Sequence, residues 1–284
     1  MKKHKDFGMS AKIKALFSQV QNIPQISEVI RALINQLNDP DICLKEVARN
    51  VEKEQLISIK VLRLVNSASF GLAKKISSIE EAVVLLGVGK LKTMVIASGI
   101  VSAVCKIDNF DINQFWRESF STASYAKWLA NESDCNVDVA FTAGLLSSLG
   151  TILIHLGLEK EAMDIEQRIK NGHARPFIEK MRLGFTSQDV SAELCKVWRF
   201  SDELIIPVAQ CAEPLLAEPV SKMACIIFLA RLLSFAKATE MTEEEIMCSI
   251  PVEIIDQLGL SEAFFKENIT ALLALESGLD GLLD

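Results

Sequence analysis

Three histidines, seven cysteines and a pair of adjacent serines are the residues of this 284-residue chain most able to do chemistry. The histidines are His4, His155 and His173, and no two share a helical face at a spacing of three or four. No His-x-x-x-His or Glu-x-x-His pattern is therefore available to hold zinc or a two-metal centre. His155 lies in an apolar stretch and reads as a helix-end histidine, and His173 follows Asn171-Gly172 and reads as a loop residue. The cysteines, at 43, 105, 135, 195, 211, 225 and 248, contain no Cys-x-x-Cys. Neither a zinc ribbon nor a redox pair is expected of them, and they read as reduced, mostly buried thiols. Ser147 and Ser148 have no base evident in the sequence, and Gly144-Leu145-Leu146-Ser147 lacks the Gly-x-Ser-x-Gly form of a nucleophile elbow. Gly87-Val88-Gly89-Lys90 is too short to be a phosphate loop, and no Gly-x-Gly-x-x-Gly occurs. No cofactor is expected.

The elements that carry these residues read as helices almost throughout. Val29, Ile30, Leu33, Ile34 and Leu37 recur at helical spacing, as do Ile57, Val61, Leu64 and Val65, and then Leu85, Leu91, Val95 and Ile96. No convincing alternation of apolar and polar residues marks a strand. Half of the residues are hydrophobic but only 6% are aromatic, a composition suited to helices packed on helices. Ser77 or Ser78 is placed to cap a helix that begins Glu80-Glu81-Ala82-Val83, with both acids in its favourable first turn. Gly87 and Gly89 flank an expected tight turn. The fold class is all-α.

Three regions follow. Residues 10–105 form a first helical block, 106–215 a second, and 216–284 a C-terminal helical extension. The polar stretch Lys106–Asp111 separates the first two, with no flexible linker rich in Pro, Ser or Gly, so the blocks are expected to pack as one unit. The net charge of -7 and a pI near 5.2 argue against a general electrostatic grip on nucleic acid or anionic lipid. No signal peptide is expected, nor any run of roughly 20 apolar residues able to span a bilayer. A cytoplasmic location is the expectation.

The text Lys60-Val61-Leu62-Arg63-Leu64-Val65-Asn66-Ser67-Ala68-Ser69-Phe70-Gly71, preceded by Ile23-Pro24-Gln25-Ile26, is specific. So is the Ser77-Ser78-Ile79-Glu80-Glu81-Ala82-Val83-Val84-Leu85-Leu86-Gly87 pattern that follows it. Together they resemble the HDOD domain, an HD-related output domain of bacterial signalling proteins. Phe115-Trp116-Arg117-Glu118-Ser119 and Ala143-Gly144-Leu145-Leu146 extend the likeness, which covers about residues 20–215. It implies an N-terminal helical block packed on a degenerate HD-type block, and a role in bacterial signal transduction.

The related HD phosphohydrolases hold divalent metal with histidines and aspartate. At the matching positions this chain carries Glu118 for a histidine, Ser147-Ser148 for the His-Asp dyad and Ser187 for a further histidine. Gln210-Cys211 stand for the paired histidines, and Arg231 falls near the late acidic position, where its charge would repel a cation. Neutral hydroxyls replace imidazole and carboxylate poorly. Without a metal to polarise phosphorus and generate hydroxide, several kcal/mol of transition-state stabilisation vanish, so hydrolysis by that route is expected to be absent. Trp116, Glu118, Ser147, Ser148, Ser187 and Gln210 are expected to line the vestigial cleft. The expectation is a non-catalytic module that binds a protein partner of a bacterial signalling pathway, with a small ligand or nucleotide as a second candidate occupant. A metal-dependent phosphohydrolase or cyclic-nucleotide phosphodiesterase with a non-standard site is the alternative. A helix-turn-helix reading of Leu44–Val51 and Ile57–Val65 is weaker still, because the second helix offers mostly apolar side chains where base edges demand polar ones.

Overall fold

A computed structural model describes residues 10–20, 23–25, 27–36, 41–66, 75–103 and 107–275. Every regular element among them is helical. The first five helices are α1 (Ala11–Gln19), α2 (Glu28–Gln36), α3 (Leu44–Glu52), α4 (Gln55–Val65) and α5 (Ile79–Ala103). The middle of the chain forms α6 (Ile112–Glu132), α7 (Val137–Leu146), α8 (Leu149–Gly157), α9 (Glu159–Lys170), α10 (Arg175–Leu183), α11 (Ser187–Val197) and α12 (Asp202–Gln210). A 3-10 turn at Pro214–Leu216 leads to α13 (Lys222–Ala238), α14 (Glu243–Ser249), α15 (Val252–Leu258) and α16 (Glu262–Leu273). His4, Leu37, Ser67–Gly71, Cys105 and Lys106, used in the sequence reading, fall outside the described residues.

Local chemistry accounts for the boundaries. In α4 the stripe Ile57, Val61 and Val65 is buried, as its spacing predicts. Asn66 closes that helix, its amide donating to the carbonyls of Leu62 and Ile76 while its carbonyl accepts from the Ile76 amide. Ser78 caps α5 by accepting from the Glu81 amide at 3.4 Å. Gly87 then takes φ 72° and kinks α5, a conformation that glycine adopts freely, and a Cβ there would touch nothing. The turn expected at Gly87–Gly89 is thus present, and it divides α5 into two helical segments that meet at Gly87.

Two hydrophobic cores result. The larger draws on α1 to α12, from Ile13 to Cys211, and reaches Ile227 of α13. The smaller joins Tyr125 and Leu129 of α6 to α13 and to Ile246, Ile255, Phe265 and Ile269 of the last three helices. Polar clasps tie the chain's beginning to its middle: Trp198 Nε1 donates to the Pro24 carbonyl at 2.9 Å, and Lys12 Nζ to the Leu183 carbonyl at 3.0 Å.

One expectation needs correction. Val137–Gly157, which comprises α7 and α8, is apolar and long enough by composition to cross a bilayer, with mean hydropathy 1.8. Its composition reflects helices that lie in the core: 78% of the 18-residue window of highest hydropathy within it is buried inside the protein. Counting interrupted apolar runs missed it, because Thr142, Ser147, Ser148 and Thr151 interrupt the run without adding charge.

Candidate functional site

The short break between α7 and α8 (the elbow) is closely packed by neighbouring backbone. Gly144 lets α7 approach α6 so closely that a Cβ would lie 3.0 Å from the Ala123 Cα. Two residues beyond the elbow, a Cβ on Gly150 would fall 1.9 Å from the Ser187 carbonyl oxygen, so only glycine fits where α8 meets the start of α11. Ser191 of α11 clasps the elbow, accepting from the Gly150 amide at 2.7 Å and donating to the Ser147 carbonyl at 3.1 Å. Ser147 and Ser148 therefore sit in a short break between α7 and α8, both with right-handed helical backbone, held against a third helix.

Arg231, from the middle of α13, reaches this break. One guanidinium nitrogen donates to both serine hydroxyls, to Ser147 Oγ at 3.2 Å and Ser148 Oγ at 3.0 Å. Ser147 Oγ is fully buried and donates in turn to the Gly144 carbonyl at 2.7 Å. Burial pulls Arg231 below the usual arginine range, while Cys211, Glu179 and Glu118 act in the opposite direction. The group remains a cation near neutral pH.

A second set of charges lies alongside. Glu179 of α10 is 1% exposed and accepts at Oε2 from the Ser187 amide at 2.6 Å and the Ser187 hydroxyl at 2.9 Å. Its other oxygen is 3.6 Å from Arg175, which also bonds Glu166 of α9 at 2.8 Å. Glu166 completes the chain with His155 of α8 at 3.2 Å. Burial raises Glu179 above the ordinary carboxylate range despite Arg175, the two Ser187 bonds and Arg231. Burial also opposes ionisation of Arg175, but Glu166 and Glu179 outweigh it and hold Arg175 above its usual value.

The predicted cleft residues are distributed unevenly around this network. Ser147 and Ser148 meet through Arg231, and Ser187 is buried beneath Glu179. Glu118 is exposed on α6, accepting from Gln114 at 2.8 Å, with its charge acting on Arg175 and Arg231. Its carbonyl accepts from Ser234 of α13, one turn from Arg231. Gln210 is half-buried at the end of α12, its Oε1 without a hydrogen-bond partner. Trp116 stands apart: it is 2% exposed and packs in an aromatic row between Phe115 and Phe120. His155 closes α8 as read from the sequence, its ring 4.2 Å from that of Phe110. Glu179, Arg175 and Glu166 were not singled out from the sequence. The (i, i+4) spacing of Arg175 and Glu179 was visible there, but it is common on exposed helices and nothing flagged burial.

These donors do not fit a divalent metal. No three His, Cys, Asp or Glu side chains converge among the described residues. The buried carboxylate oxygen nearest the serines is engaged by Ser187, and the serine hydroxyls already face a guanidinium. A second cation would meet Arg231 with few anionic donors to compensate.

The described residues thus form an all-helical domain in which α7 and α8 break at Ser147-Ser148 and are fastened there by α11. The family model of the HDOD domain matches residues 23–214, and the chain belongs to the HDOD domain family. A candidate phosphohydrolase from Shewanella amazonensis SB2B is similar over 95% of this chain and 97% of its own, with 29% identity and a TM-score of 0.76. An HDOD domain protein of unknown function from Geobacter sulfurreducens aligns over 93% and 95% of the two chains at 20% identity and a TM-score of 0.75. A candidate signal transduction protein from Marinobacter aquaeolei VT8 aligns over 97% of this chain and 67% of its own, at 18% identity and a TM-score of 0.77. The last two likenesses show shared fold alone. An uncharacterized protein of Treponema pallidum is 25% identical over 141 residues, 49% of this chain but only 27% of that protein's length.

Proposed function

We propose that this chain is a non-catalytic regulatory module of the HDOD type, acting by binding a protein partner or a small ligand. One observation carries the reading: Arg231 donates to both Ser147 and Ser148, the pair standing where the related hydrolases hold a His-Asp dyad. A permanently charged side chain at that point does electrostatically part of what a bound ion does, joining the elbow to α13. It cannot coordinate a water and lower its pKa to generate hydroxide as a metal does. Family membership supports a signalling role, and the partner is expected to be a component of a bacterial signalling pathway. DNA recognition by α4 is disfavoured, because Ile57, Val61 and Val65 face the core and the chain is acidic overall.

The likeness to the Shewanella protein keeps phosphodiester hydrolysis as a second reading. The two are separated by elemental analysis of the purified chain together with turnover of bis(p-nitrophenyl) phosphate in added manganese, zinc or magnesium. The regulatory reading expects substoichiometric metal and no turnover. One equivalent of transition metal, with turnover that Ser148→Ala or Glu179→Gln abolishes, would establish the enzyme instead. A thermal-shift panel of nucleotides then asks whether the cleft takes a ligand, and no shift across the panel favours a protein-binding scaffold.

A further inference from the structure

A cavity of about 690 Å³ opens between α2 and α5 on one side and α7 and α12 on the other. It lies toward the N-terminal ends of α7 and α12, whose opposite ends carry the Ser147 elbow and Gln210. It is therefore separate from the Arg231 network, although two helices serve both. On α5, Val88, Lys92 and Ile96 recur every fourth residue and so present one face to the space. From the other side come Asp138 of α7 and Glu203 of α12, with apolar surface, Phe200 included, around them. Small-molecule sites typically measure about 300–1,000 Å³, are mostly apolar, and carry a few convergent polar groups.

Lys92, Asp138 and Glu203 line one space, yet none forms an ion pair with a described residue. An ammonium on one wall and carboxylates on the other, with apolar and neutral polar side chains in the lining, complement a molecule that carries both signs. We propose that this cavity binds an apolar zwitterion of dipeptide to tripeptide size, its carboxylate on Lys92 and its ammonium on Asp138 and Glu203. Two acidic groups against one basic group repel nucleotide di- and triphosphates, so the preference is for amphipathic peptides over nucleotides. A ligand seated here would tie α5 of the N-terminal part of the chain to α7 and α12. Occupancy would thus bear on the helix that ends in the Arg231-held elbow. Binding at this place is independent of whether the Ser147 elbow ever holds metal, so a failure here and a failure of the regulatory reading are told apart.

The test is isothermal titration of the full chain with the dipeptide Leu-Phe and the tripeptide Leu-Phe-Leu. Its controls are N-acetyl-Leu-Phe-amide, which has the same body without charges, and GTP. At least one free peptide is expected to bind with Kd below about 1 mM, and the blocked peptide about tenfold more weakly. Lys92→Met and Glu203→Gln, both at incompletely buried positions, should each weaken the free peptide about tenfold while the far-UV circular dichroism and melting curve stay unchanged. No heat with either free peptide, equal binding of the blocked peptide, or affinity indifferent to both substitutions overturns the proposal. GTP binding that Lys92→Met abolishes would overturn it in favour of an anion site.

Discussion

Replacing Arg231 by methionine tests the central contact most directly. The substitution keeps the aliphatic stem and removes a charge that donates to Ser147 at 3.2 Å and Ser148 at 3.0 Å. Hydrogen bonds to charged groups contribute about 1.5–3 kcal/mol each, and the half-buried methionine recovers part of that through apolar burial. A net loss of about 2–4 kcal/mol is expected, since Glu179 also loses one of its two basic neighbours. At about 2–4 °C per kcal/mol for a chain of this size, the melting midpoint should fall by roughly 4–16 °C. The pH dependence has a definite sign. Burial raises the folded-state pKa of Glu179, so its contribution is most favourable below the ordinary carboxylate pKa and is lost as pH rises through the folded value. Without Arg231 the Glu179 charge is harder still to bear, and the penalty of Arg231→Met should be larger at pH 8 than at pH 5. Urea titrations of the parent, Arg231→Met, Ser148→Ala and the double variant, at both pH values, supply the assay. A coupling energy of at least about 0.5 kcal/mol between the two sites is expected. Strict additivity, or an Arg231→Met protein as stable as its parent, would refute the idea that the guanidinium holds the elbow together.

Other consequences follow from the same geometry. Gly150→Ala forces a methyl to within 1.9 Å of the Ser187 carbonyl, and a loss on the order of 3 kcal/mol or more is expected; an unchanged urea midpoint would contradict the packing described. Burial pushes Cys195 up to about 12 and Cys211 to about 11, so native-state alkylation mapped by mass spectrometry should label exposed Cys43 and Cys248 well before either; comparable rates would argue against a closed core. Burial raises the Glu166 carboxyl, but His155 and Arg175 outweigh it and set its folded pKa below the usual range. Its contribution is therefore present above the ordinary carboxylate pKa and lost as pH falls through the folded value, so Glu166→Gln should narrow its stability gap to the parent in acid. A gap that widens in acid would reverse that assignment.

Periodicity made the helical class legible, because a stripe such as Ile57, Val61 and Val65 reports the face a helix will bury. The Ser78 cap was equally local, decided within four residues. The elbow could be placed from Gly144 through Ser148, but its fastening could not: Arg231 lies 83 residues beyond Ser148, and only the packing of α13 on α6 and α7 joins them. From sequence alone the arginine reads as a charge that repels a metal, whereas in the fold it is also a donor to both serines. Trp116 shows the converse limit. Its neighbourhood in the sequence belongs to the cleft helix, yet large aromatic area is gained by packing with Phe115 and Phe120, and that sets its direction. Glu179 was invisible for a simpler reason, since a glutamate on a charged helix gives no sign of being enclosed.

The two clasps near the N-terminus bear on the order in which this chain can assemble. The indole that meets the Pro24 carbonyl lies 174 residues downstream, and the carbonyl that receives Lys12 lies 171 residues downstream. During synthesis at about 5–20 residues per second, the opening helices wait many seconds for the surfaces they will rest on. Leu16 of α1 likewise rests beside Gly157 of α8, so α1 is made well before the surfaces that lock it into place.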